Sequence, residues 1–168
     1  SAAADDLLRG FGLDDWQLTS GWLLNASRAD GVKAPKVRAF LRRLHQGGLT
    51  YQGKTYKLTV GVDGGERDEA TQLRLYSQGR AQLSSGAWVV VDASKVVTNA
   101  RTRAQTRHGQ GRAVDVWVML DDGKPLLYPS QAPALFEGVY LALGELGESM
   151  GLTWGGRGTT LVDRPHFE

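Results

Sequence analysis

Apolar positions recur along this chain with helical spacing in some stretches and in short extended runs elsewhere. After Pro35, Lys36-Val-Arg-Ala-Phe-Leu-Arg-Arg-Leu-His45 sets Val37, Phe40, Leu41 and Leu44 at i, i+3, i+4 and i+7, an amphipathic helix that Gly47-Gly48 ends. His45 falls in its last turn, where a cation complements the helix dipole, which predicts a structural role. Residues 67–78 are helical by propensity and stop at Gly79. A third helix opens at Pro133 and runs to about Met150, with Gly151 past its end. Leu49-Thr-Tyr51 and residues 56–62 flank Gln52-Gly53-Lys54, the pattern of a hairpin. Trp88-Val-Val-Val91 reads as a short strand or buried turn. Residues 113–120 read as a core strand, after which Asp121-Asp-Gly-Lys124 turns into Leu126-Leu-Tyr128. The first 30 residues carry Leu7, Leu8, Phe11, Trp16, Trp22, Leu23 and Leu24, too apolar for a disordered tail, so one or two short helices should pack there. The expectation is α+β: a small, mainly antiparallel sheet with helices packed on it, residues 1–60 lying against a core of residues 61–168 in one compact domain.

Composition narrows the chemistry. With 168 residues, 41% apolar and 23% charged, the chain is of ordinary single-domain make-up. It has no cysteine, which excludes disulfides, thiolate metal sites and thiol nucleophiles and leaves His45, His108, His166 and the carboxylates for metal or proton chemistry. Net charge is +2, too small to argue for nucleic acid. Lys95, Arg101, Arg103, Arg107 and Arg112 form a stretch without acids, either a solvated loop or a surface for an anionic substrate; interleaved aromatics of the nucleic-acid-binding kind are missing from it. No run of about 18 apolar residues is present, and Ser1-Ala-Ala-Ala lacks the look of a signal peptide, so no membrane span is expected.

Asp115 stands out because it interrupts an apolar strand (Val114, Val116, Trp117, Val118), and an unpaired buried carboxylate costs several kcal/mol or becomes neutral. His108 lies seven residues upstream, with Gly109 and Gly111 between to let the chain turn. A plain His–Asp hydrogen bond and a metal site are both open at this point. His166 sits in Asp163-Arg-Pro-His166, where Pro165 forbids a helix, so Asp163 and His166 do not share a helical face. Two histidines and an aspartate would give zinc three protein ligands and an open position for water, with Asp163 left beside the site to take a proton.

These segments resemble the zinc peptidases of the D-alanyl-D-alanine carboxypeptidase and phage-endolysin type, which cut peptidoglycan stem peptides. The family pattern Ser-x-His-x-x-Gly-x-Ala-x-Asp appears as Thr106-Arg-His108-Gly-Gln-Gly111-Arg-Ala113-Val-Asp115, with threonine for serine. Its downstream Asp-x-Pro-His-Phe appears as Asp163-Arg-Pro165-His166-Phe167, preceded by the Trp154-Gly155-Gly156 element of the endolysin branch. Gly65-Glu-Arg67, Gln72-Leu-Arg-Leu75-Tyr76, Gly79-Arg80 and Val97-Thr-Asn-Ala100 follow the family order, with Glu66 replacing an aromatic residue. The resemblance covers about residues 60–168.

The resemblance implies a hedgehog and D-Ala-D-Ala peptidase-like fold with zinc (Zn2+) at the sheet face, held by His108, Asp115 and His166. It further implies Asp163 as general base and Arg67 facing the substrate, where a guanidinium would stabilise an oxyanion. The alternative for Arg67 is a helix-start arginine. Thr106, Gln72 and Trp154 are candidates for substrate contact or for holding the ligands. Trp117 and Trp154 suit core packing as well as sugar stacking. The implied activity is hydrolysis of a stem-peptide amide bond in the bacterial cell envelope by a monomer. An L-alanyl-D-glutamate endopeptidase comes first, a carboxypeptidase second, and a non-catalytic zinc-containing wall-binding or phage structural module third.

Overall fold

The computed structural model describes residues 14–61, 69–101, 110–160 and 162–168. Among the described residues the helices are α1 (Pro35–Gly47), α2 (Glu69–Ser77) and α3 (Pro133–Ser149). The strands are β1 (Leu23–Leu24), β2 (Leu49–Tyr51), β3 (Lys54–Tyr56), β4 (Leu58–Val60), β5 (Arg80–Gln82), β6 (Trp88–Val90), β7 (Val114–Val118) and β8 (His166–Phe167). The central sheet runs β1-β4-β7-β8; β1 lies parallel to β4, and the other two pairings are antiparallel. Two hairpins, β2–β3 and β5–β6, stand outside it.

The expected α+β class is what the described residues form. The apolar stripe of α1 is buried at Val37, Phe40, Leu41 and Leu44, and Gly48 closes the helix at φ 64°. Removing such a set from water is worth roughly 1.5–3 kcal/mol per side chain. α3 starts at Pro133 as the sequence predicts, and Gly151 follows it at φ 86°. Phe136, Val139, Tyr140 and Leu143 carry α3 onto the sheet. The Tyr140 hydroxyl accepts the Val118 amide and donates to the Leu126 carbonyl, which fixes the end of β7.

Two sequence expectations need correction. Residues 56–62 do not form one strand: the chain breaks at Lys57, β3 pairs with β2, and β4 enters the central sheet, where Leu58, Thr59 and Val60 are all buried. Apolar and polar residues alternate straight across Lys57 in Tyr56-Lys-Leu-Thr-Val60, so the pattern does not show where the chain leaves one sheet for another. Trp88–Val90, by contrast, forms the expected short strand, β6, paired across a hairpin with β5 so that Trp88 stands opposite Gln82. Residues 126–128 form no strand; a single bridge joins Met119 and Pro125.

The N-terminal segment is tied to the sheet by backbone. Trp22 accepts the Leu58 amide and donates its own to the His45 carbonyl, while the Gly111 carbonyl takes the amides of Lys33 and Ala34 just before α1.

Candidate metal centre

β7 alternates as its sequence requires. Val114, Val116 and Val118 point into the core, and Asp115 and Trp117 face the other way, half-buried. Opposite Asp115 in the β7–β8 register is His166. Directly paired residues of an antiparallel ladder place their side chains on one face, about 5 Å apart at Cβ. The His166 Nδ1 accordingly lies 3.1 Å from Asp115 Oδ1. Asp163 reaches the same point through a turn: the His166 amide bonds the Asp163 carbonyl at 3.2 Å. One ligand atom from each of Asp115, Asp163 and His166 lies within 4.8 Å of the others. A turn rather than a helix therefore brings Asp163 to His166.

The glycines and tryptophan ahead of that turn are part of its construction. The Asp163 amide bonds the Gly155 carbonyl at 3.0 Å, and a Cβ on Gly155 would lie 2.3 Å from the Asp163 carbonyl oxygen. Trp154 is buried against Gly144 and Gly156, where a Cβ would fall within about 2.2 Å of its ring, and its Nε1–H donates to the Arg164 carbonyl at 2.7 Å. Trp154 thus holds the turn from behind, in the core, rather than serving as an exposed stacking face.

Gln72 is fully buried, and its amide donates to the Ala100 carbonyl at 2.6 Å. Arg80 bonds the Tyr76 and Thr98 carbonyls and the Asn99 side chain, and its guanidinium lies 4.0 Å from the Tyr76 ring centroid. The motif residues of α2 and β5 therefore clamp residues 98–100, and Gln72 lies in that clamp instead of in the metal group. His108, Thr106 and Arg67 lie outside the described residues. His45 is buried at the end of α1, its Nε2 3.1 Å from Thr19 Oγ1, away from the group.

Sequence reasoning missed Glu168. Its Oε2 lies 3.2 Å from the other ring nitrogen of His166, Nε2. The signal was available: His166 and Glu168 are i and i+2 on an extended segment and share a face.

Electrostatics at the group favour positive charge. Burial works against a charged His166 ring, but hydrogen bonding and attraction from Asp115, with Glu168 and Asp163 adding to it, outweigh burial and raise its pKa to about 9. Next to the group, a pocket of about 590 Å³ is lined by Lys33, Lys36, Gln110, Arg112, Leu152 and Glu168, cationic at three positions.

Two carboxylates and an imidazole converging half-buried are oxygen and nitrogen donors of the kind a divalent zinc accepts. Fold and site together define an α+β chain with a candidate centre for such a metal. Comparison with known families is more particular: residues 99–168 match the family model described as D-alanyl-D-alanine carboxypeptidase. Asp115, Asp163 and His166 all lie inside that match, which spans less than half of the chain.

Proposed function

We propose that the protein is a zinc metallopeptidase hydrolysing an amide bond of the peptidoglycan stem peptide in the bacterial cell envelope. The observation that carries this reading is the convergence of Asp115, Asp163 and His166 within the segment that matches a peptidase family. In this reading His108, Asp115 and His166 hold the metal. When bound, zinc supplies a Lewis acid for the scissile carbonyl and lowers the pKa of water toward neutrality. Asp163 accepts the proton of the attacking water and passes it to the leaving amine. Arg67 offsets the negative charge that develops on the carbonyl oxygen. Lys33, Lys36 and Arg112 line a pocket suited to the free carboxylates of a stem peptide.

The preferred bond is L-alanyl-D-glutamate, supported by the Trp154-Gly155-Gly156 and Asp163-Arg-Pro-His166-Phe167 form. Removal of a terminal residue is the second reading, favoured by the carboxypeptidase description of the matching family. Purified sacculi test both. Asp163→Ala should keep one zinc per chain and lose about 10²–10⁴-fold of hydrolysis. Full activity in that variant removes Asp163 as base, and loss of zinc makes it a ligand instead. Mass spectrometry of the released muropeptides reads which bond is cut.

A further inference from the structure

The His166 ring has two nitrogens, and the structure gives each its own carboxylate: Nδ1 faces Asp115 at 3.1 Å and Nε2 faces Glu168 at 3.2 Å. A neutral imidazole carries one N–H and one lone pair, so it satisfies one carboxylate and turns a lone pair on the other. Two arrangements are available. With the proton on Nδ1, the Nε2 lone pair opposes the Glu168 carboxylate. With the proton on Nε2, Glu168 accepts a hydrogen bond and the Nδ1 lone pair opposes Asp115. A cation shared by Nδ1 and Asp115 makes every contact of the second arrangement favourable.

We propose that Glu168 is a positioning residue: it accepts the Nε2–H of His166 and so fixes the tautomer whose Nδ1 lone pair faces Asp115 as the metal-binding atom. The role rests on the metal reading above. Glu168 is placed for it by backbone, because its amide and carbonyl both pair with Thr153, at 3.0 and 2.7 Å. Phe167 between the two residues is fully buried, packed on Phe40 with ring centroids 4.7 Å apart. The alternation of this segment therefore leaves His166 and Glu168 together on the opposite face. A carboxylate on the outer nitrogen of a ligating imidazole orients the ring and raises its basicity, and losing such a partner typically weakens metal affinity 10–100-fold.

The test uses the full chain with 15N-labelled histidine and zinc as the probe, with affinity read by competition against a chromophoric chelator. Glu168→Ala removes the acceptor but keeps both backbone bonds to Thr153. Glu168→Gln keeps an acceptor and removes the charge. The wild type should show a His166 Nε2–H signal protected from exchange, with or without zinc, and a zinc-bound Nδ1. Glu168→Ala should lose that protection and bind zinc 10–100-fold more weakly, with an unchanged circular dichroism spectrum. Glu168→Gln should recover most of both. An unaltered Nε2–H signal and affinity in Glu168→Ala overturn the role, as does a Glu168→Gln variant no better than alanine, which would make the effect one of charge alone. A wild type that binds no zinc overturns the metal reading and this role with it. That failure is recognisable because the Nε2–H signal of the metal-free protein still reports the contact with Glu168.

Discussion

The end of α1 and the β7–β8 corner each withdraw a histidine from water, and they do opposite things with it. At the helix end, His45 packs against Trp16 with ring centroids 5.5 Å apart, meets one hydroxyl at Nε2, and leaves its buried Nδ1 without a hydrogen-bond partner among the described residues. At the strand corner, His166 meets a carboxylate at each ring nitrogen and has a third carboxylate in reach. Burial alone therefore does not make a histidine a site. What distinguishes His166 is the negative charge gathered on both sides of its ring.

The largest effect that separates the two is on metal. His166→Ala should abolish measurable zinc binding and lower wall hydrolysis more than a thousandfold, while His45→Ala keeps both, as read by metal analysis and sacculus digestion. A His45 variant that loses zinc would erase the contrast.

Next comes pH. In the metal-free protein the His166 pKa stands at about 9 against 6.5 for an unperturbed imidazole. A raised folded-state value means that the folded state binds the proton more tightly than the unfolded chain. The contribution is therefore complete below about pH 6.5 and fades as pH rises through about 9, up to about 3 kcal/mol in all. Urea melts of chelator-treated protein at pH 6, 8 and 9.5 should follow this fall. His166→Ala should remove it, His45→Ala should preserve it, and saturating zinc should flatten it by displacing the proton.

The smallest effect belongs to His45. Its replacement by alanine opens space beside Trp16 and removes the contact with the Thr19 hydroxyl, which keeps its bond to the Trp16 carbonyl, for a loss of about 2 kcal/mol in the same melts with hydrolysis unchanged.

The same contrast shows why some features were legible in the sequence and others were not. α1 and α3 could be read because their apolar spacing and their Pro and Gly boundaries act locally. Asp115 could be read because a carboxylate among valines has no comfortable local explanation. The break at Lys57 could not, since either side of it is equally apolar and only the choice of partner strand separates β3 from β4. Nor could the seating of Trp154, which depends on Gly144 in a helix ten residues away. Gln72 and Arg80 were visible as motif residues, yet their work is to grip residues 98–100 from buried and half-buried positions, which spacing does not reveal. Glu168 was overlooked although its i+2 spacing from His166 on an extended segment was visible, because the ring nitrogen it meets is set only by the fold.

The Gly111 carbonyl has a practical consequence for anyone recombining this chain. Gly111 sits at φ 68° with the Gly31 carbonyl oxygen 2.7 Å from where a Cβ would be, and it receives two amides from the approach to α1. It stands four residues before Asp115, so the peptide that leads into β7 is held by residues far outside the family-matched stretch. A graft of residues 99–168 onto another scaffold would arrive with that acceptor bare and without β4 as the neighbour of β7. Transplanting the proposed chemistry means supplying two amide donors and a strand along with the three side chains proposed to hold a cation.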